Sequence, residues 1–141
     1  KVFETKTTRF SVSVYIYENG NFMPRFYFAK TIKPIESDEL KTLDEILASN
    51  INFKNLSFIE CGDDCDYNSG GRIIDYEYKK GYLQLNTESQ TGGWLVFSES
   101  FDNRWQAKVN DSVVPIYRAN YIYQAIKIPT GKSMIEFIYK P

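Results

Sequence analysis

The sequence predicts a mainly β protein: an antiparallel β-sandwich with a small N-terminal α/β annex that carries one helix. Three observations predict it. Residues 93–141 hold the densest run of hairpin signals in the chain, with short apolar–polar alternations broken by turn residues. Near the other end, Arg9 to Tyr17 alternates Val12, Val14 and Ile16 against Ser11, Ser13 and Tyr15, the period of a half-buried strand. Between them lies one good helical pattern, Ser37 to Ser49, where Leu40, Leu43, Ile46 and Leu47 fall on one face.

Taken in order, the strand ending at Tyr17 gives way to Glu18-Asn19-Gly20-Asn21, a turn whose strongest signal is Asn-Gly. A second extended segment, Phe22 to Ala29, follows. Ser37 can cap the helix, Asp38 and Glu39 suit its positive end, and Asn50 stops it. Leu56 to Glu60 is a short strand, and Cys61 to Gly71 reads as a loop. Arg72 to Lys79 and Tyr82 to Thr87 are strands around Lys80-Gly81, and Glu88 to Gly93 turns the chain. Trp94 to Ser98 is a strand, and so is Trp105 to Val109, where Trp105, Ala107 and Val109 alternate with Gln106 and Lys108. Asn110-Asp111-Ser112 turns, Val113 to Arg118 returns, Tyr121 to Ile128 goes out again, and Pro129 to Lys132 leads into a last strand, Ser133 to Tyr139. The sum is about seven to nine strands. Residues 1–60 form the strand–helix annex and 72–141 the sandwich core of a single domain spanning 1–141. Trp105, Ala107 and Val109 are expected to share a face, with Leu83 and Leu85 buried opposite.

The chain has 141 residues and a formal net charge of -1, with no clustered Lys/Arg face, which argues against nucleic acid as a partner. It has no histidine, so Ser-His-Asp triads, Cys-His dyads and His-ligated metal sites are excluded within it. Eleven Tyr and ten Phe suit strands and sugar-facing surfaces alike. No apolar run reaches the roughly 18–20 residues of a membrane helix. The opening Lys1, followed by mixed polar text, is read as the start of an excised or mature fragment.

Several residues invite a chemical reading. Asp64, Asp66 and Asn68 have the odd spacing of a calcium loop, with Asp75 at the twelfth position. Against it, Ser69 stands where such loops carry Gly, the twelfth ligand is ordinarily Glu, and no helices flank the segment; an acidic solvated loop is the plainer reading. Cys61 and Cys65 can form a disulfide, ligate a metal or stay free, but two thiols without histidine do not complete a zinc site. Glu99 and Asp102 can be read as the paired carboxylates of a glycosidase, or as ordinary surface acids. Trp94 and Trp105 can stack sugars, though a Trp among alternating polar neighbours usually belongs to a core. Arg118, Asn120 and Tyr121 lie where one strand passes to the next. An Arg and an amide there can hold an anionic or sugar ligand, or simply pair with a carboxylate and make the turn. No catalytic constellation and no cofactor motif emerges.

The string from Ser98-Glu99-Ser100-Phe101-Asp102-Asn103-Arg104-Trp105 through Asn110-Asp111, then Val114-Pro115-Ile116-Tyr117-Arg118-Ala119-Asn120-Tyr121, resembles the end of the YfhO-type family of large bacterial polytopic membrane proteins, thought to be glycosyltransferases. Tyr17-Glu18-Asn19 followed by Met23-Pro24-Arg25-Phe26-Tyr27 extends the resemblance toward the N-terminus, and Pro129, Gly131 and Tyr139-Lys140-Pro141 toward the end. The chain departs from the family text at Asn103-Arg104, where Pro-Gly is common, and at Asn110-Asp111-Ser112, where Asp-Gly is common. The resemblance implies a non-catalytic accessory domain on the extracytoplasmic face of the bacterial membrane, with the catalytic acids elsewhere in the full-length protein. Its implied partners are the membrane-embedded remainder of the same protein and cell-envelope glycan; the alternatives are a carbohydrate-binding module or a purely structural domain. Glu99, Asp102, Trp105, Arg118, Asn120 and Tyr121 are then the candidate ligand contacts. The implied compartment favours a disulfide between Cys61 and Cys65. The chain must turn between them to bring their α-carbons within reach, as Gly62, Asp63 and Asp64 permit.

Overall fold

The computed structural model describes residues 2–6, 13–20, 22–35, 39–48, 50–53, 55–68 and 70–141. Two sheets pack face to face. One has six strands in the order β3 (Phe26–Phe28), β8 (Gly93–Phe97), β12 (Tyr123–Ile128), β11 (Tyr117–Ala119), β5 (Leu56–Ile59) and β4 (Thr31–Pro34). The other has five, in the order β10 (Ser112–Val114), β9 (Trp105–Val109), β13 (Gly131–Tyr139), β7 (Tyr82–Ser89) and β6 (Arg72–Lys79). All these pairings are antiparallel except β4 with β5, which are parallel and joined through the helix α1 (Glu39–Ala48). Parallel neighbours need such a crossover, so this β4–α1–β5 unit is the α/β annex. Its strands continue the six-stranded sheet, and β3 also belongs to it, so residues 26–59 contribute to the sandwich as well as to the annex. A separate hairpin pairs β1 (Val2–Lys6) with β2 (Ser13–Tyr17). Residues 9–12 of the first expected strand, and Ser37, Asp38 and Ser49 of the expected helix, lie outside the described residues.

The core follows from period-2 alternation. Leu83 and Leu85 of β7, Ala107 and Val109 of β9, and Ile135 and Phe137 of β13 point inward from the five-stranded sheet. Leu95 and Phe97 of β8 with Ile126 and Ile128 of β12 meet them from the six-stranded sheet. Cross-strand partners share a face, and Phe137 pairs with Ala107 on one side and Leu83 on the other. Leu83 and Leu85 therefore stand beside Ala107 and Val109 in one sheet, not opposite them; β8 and β12 form the facing layer. Every residue of β8 is buried because its sheet is covered on both faces. On the second face Tyr27, Trp94, Val96, Ala119 and Ala125 form another apolar cluster with Ile59 and Cys61.

Three local departures from the sequence pattern have physical causes. The expected return strand Val113 to Arg118 divides at Pro115-Ile116: β10 stays in the five-stranded sheet and β11 crosses to the six-stranded one. Pro115 has no N–H to donate to a ladder, so the strand changes sheets there. β4 has a single buried side chain, Ile32, too little alternation to announce a strand. On α1 the expected apolar face is only partly covered: Leu40 and Leu47 are 72% and 74% exposed. Lys33 shares a sheet face with Phe58, and its pairing with Glu45 lays the helix over that face.

Gln124 is fully buried on the inward face of β12, and neither polar atom of its amide has a hydrogen-bond partner among the described residues. An unsatisfied buried amide costs free energy that an apolar group of like shape does not. Gln124→Met should therefore raise stability by about 1 kcal/mol, read as a higher denaturation midpoint at unchanged slope; a fall of that size would show that the amide is satisfied in solution.

Candidate functional site

Trp94 and Trp105 have opposite fates. Trp94 is fully buried on the second face, its indole N–H donating to the carbonyl of Asp66 at 2.8 Å. Trp105 opens β9 and is less buried than Ala107 and Val109 further along the strand. Its ring packs on Phe97 at 5.5 Å and on Tyr139, its cross-strand partner, at 5.2 Å between centroids. The indole thus packs against the core and stays only partly exposed. Two hollows of about 500 and 640 Å³ meet at Trp105 and Asp102, which line both.

The first hollow is walled by Tyr78, Trp105 and Tyr139 and carries Arg25, Lys80, Glu99 and Asp102. Arg25 donates to the Tyr78 hydroxyl at 2.9 Å and to Glu99 Oε2 at 3.2 Å, with its guanidinium 4.8 Å from the centre of the Tyr78 ring. The backbone fixes Arg25: the Ser98 N–H donates to its carbonyl at 2.6 Å and the Ser98 hydroxyl to that of Pro24 at 3.2 Å. Two distant segments, Met23-Pro24-Arg25 and Ser98-Glu99, are thereby stitched together.

Asp102 is held by Arg104. The guanidinium Nε lies 2.9 and 3.1 Å from the two carboxylate oxygens, Nη2 also contacts Oδ2, and the Arg104 backbone N–H donates to Oδ1 at 2.9 Å. These hydrogen bonds, first the side chain's and then the backbone's, pull the Asp102 carboxyl down to about 2. The same guanidinium lies 5.0 Å from the Tyr139 ring centre, tying this pair to the aromatic wall. Both acids of the cleft are thus matched by arginines. A glycosidase general acid needs a carboxyl held protonated by a raised pKa, and Asp102 is shifted the other way. What the arrangement offers is a fixed set of donors and acceptors beside aromatic faces.

The structure brings together only part of the candidate ligand set. Glu99, Asp102 and Trp105 line the first hollow; Arg118, Asn120 and Tyr121 do not. Arg118 lies with its guanidinium 5.2 Å from the Phe101 ring centre and its Nε 3.5 Å from Glu60 Oε2, an ion pair without a hydrogen bond. Asn120 is buried in a structural role. Its side chain accepts from the Phe58 N–H and donates to the Tyr27 hydroxyl, each at 2.9 Å, and it takes a left-handed φ of 47°. Tyr121 follows at φ 73°, also in the turn. Arg25, Tyr78, Lys80 and Tyr139 had no site reading in the sequence. Arg25 is in the Met-Pro-Arg phrase, but nothing local pairs it with Glu99; the tyrosines look like any strand aromatic.

The four calcium candidates are dispersed. Asp64 accepts from the Tyr117 hydroxyl at 2.7 Å, Asp66 accepts from the Asn68 N–H at 2.7 Å and pairs with Lys127 at 3.4 Å, and Asp75 accepts from Asn86 on β7. Among the described residues no group of three or more His, Cys, Asp or Glu is placed to hold a metal. Burial, reinforced by Asp64, pushes the Tyr117 phenol up to about 12. Cys61 and Cys65 are bonded, with α-carbons 5.0 Å apart across a 3-10 turn at Gly62–Asp64, and Gly62 takes a φ of 52°. The bridge closes a short loop whose Asp64 and Asp66 are laced to Tyr117, Lys127 and Trp94 on the second face.

No family model, curated protein or solved structure matches the chain.

A depressed carboxyl stabilises the fold above the ordinary aspartate value of 3.8, and its contribution is lost as the pH falls toward about 2. NMR titration of the Asp102 carboxyl should therefore give a midpoint near 2, returning to the ordinary range in Arg104→Gln; a midpoint near 4 in both proteins would show that the Arg104 contact does not persist in solution.

Proposed function

We propose that this domain is a non-catalytic, glycan-contacting module of a YfhO-like membrane protein acting on cell-envelope polymers from the extracytoplasmic side. The observation that carries the reading is the cleft at Trp105. A partly exposed Trp105, two tyrosines, the Arg25–Glu99 pair and Asp102 line a hollow of about 500 Å³, within the size range of small-ligand clefts. Sugars present apolar C–H faces to aromatic rings and hydroxyls to charged hydrogen-bonding groups, and this cleft supplies both. The non-catalytic part of the reading is supported by the pairing of both acids with arginines and by the low pKa of Asp102. Met23-Pro24-Arg25 and Ser98-Glu99, which carry much of the resemblance, converge on the cleft. The disulfide is compatible with an oxidising compartment.

A second reading, a domain that packs on the membrane-embedded part of its own protein, is favoured by one observation. The exposed large apolar side chains include Tyr15, Ile16 and Tyr17 of the β1–β2 hairpin and Leu40 and Leu47 of α1. Among the described residues no helix is long and apolar enough to cross a membrane, so such spans would belong to other parts of the protein.

Calorimetric titration against envelope polysaccharides and their fragments tests the proposal. Binding without cleavage or transfer is expected, and Trp105→Ala should weaken it at least about tenfold, the loss of one stacked aromatic contact. Hydrolysis of a glycoside that disappears in Glu99→Gln would overturn it in favour of an enzyme, and the absence of binding to any glycan would leave the packing role as the reading.

A further inference from the structure

The two hollows are not alike, and the difference bears on what kind of chain would lie across them. The first is charged and aromatic, with Arg25, Lys80, Glu99 and Asp102 among its walls. The second, of about 640 Å³, has an apolar side made by Phe101, Val114 and Ile116, while Val113, paired with Lys108, turns its side chain to the other face of the sheet. Phe101 remains 39% exposed and Val114 and Ile116 are only partly buried, so this side is open to a ligand. Trp105 and Asp102 line both hollows, and the Arg104 guanidinium, a wall of the second, lies against the Tyr139 ring, a wall of the first.

We propose, resting on the glycan-binding reading above, that these hollows are two adjoining subsites for an internal stretch of a linear oligosaccharide crossing Trp105, and that the unit over the second hollow bears an acyl group such as an acetamido methyl. The first hollow meets hydroxyls with arginine and carboxylate groups. The second offers a methyl-bearing substituent the side made by Phe101, Val114 and Ile116, where it leaves water, while Asn103, Gln106 and Lys140 also line the hollow and can meet the polar parts of the ring. A single sugar would occupy one hollow and forgo the other. An unsubstituted chain would fill both but leave the apolar side wet. Preference for a chain, and for an acylated chain, are therefore two separate consequences of the geometry.

The test uses the 1–141 chain and three probes: the β-1,4-linked tetramer of N-acetylglucosamine, the β-1,4-linked tetramer of glucose, and N-acetylglucosamine itself. Affinity should fall in that order, with the acetylated tetramer about tenfold tighter than the glucose tetramer, within the range for burying one small apolar group. Phe101→Ser should remove most of the acetylated tetramer's advantage over the glucose tetramer; Phe101→Leu should keep the preference. Trp105→Ala should weaken both tetramers. Monosaccharide binding equal to that of the tetramers, equal binding of the two tetramers, or an acetylated-tetramer advantage that survives Phe101→Ser intact would overturn the two-subsite assignment. If the glucose tetramer still binds through Trp105 in such a case, the glycan-binding reading survives. Failure of every glycan to bind removes both.

Discussion

The contact between Phe97 and Phe137, with ring centroids 5.0 Å apart, holds the two sheets in register and positions what lies at their end. Both rings are fully buried, one from each sheet, and truncating a ring of this kind typically costs about 3–5 kcal/mol. Phe97 is also the ring against which Trp105 leans, so one side chain belongs both to the core and to the floor behind the cleft. Tyr139 completes the support on the other side. An indole supported on two sides is held in place, and under the proposed glycan-binding reading little ordering entropy would remain to be lost on binding.

Much of the sandwich is legible in the sequence because strand alternation is a local property. β7, with every second residue buried, and β9, with Ala107 and Val109 turned inward, follow directly from their period. The Asn110-Asp111 turn carries its own chemistry: both residues take left-handed φ, 49° and 67°, which Asn and Asp tolerate better than most. Strand order is another matter. Nothing in the text of Leu83 or Ala107 says that β13 will insert between their strands, and so they stand side by side where a facing arrangement was expected. β4 escapes notice because an edge strand with one buried side chain leaves almost no periodic trace.

The site shows the same division. Glu99, Asp102 and Trp105 stand close together in the chain, and the fold keeps them together. Arg25 reaches both Tyr78 and Glu99, each far from it in sequence, because the tertiary fold brings the three segments close. Asn120 illustrates the converse. As a polar residue at a strand end it resembles a ligand contact, yet the fold uses it to complete the hydrogen bonding of Phe58 and Tyr27. The partners, more than the residue types, separate a structural residue from a candidate contact: Asn120 is satisfied inside, whereas Trp105 is only partly covered.

Solution NMR of the two indole N–H groups addresses the central claim directly. Trp94 donates to Asp66 within a buried cluster, whereas Trp105 stands at the cleft, and Trp105→Phe assigns the two signals. On titration with a glycan that binds, the Trp105 signal should shift progressively and saturate while the Trp94 signal stays fixed. A bound glycan that leaves Trp105 unmoved, or that moves Trp94 instead, would contradict the account and place the contact surface elsewhere on the sandwich.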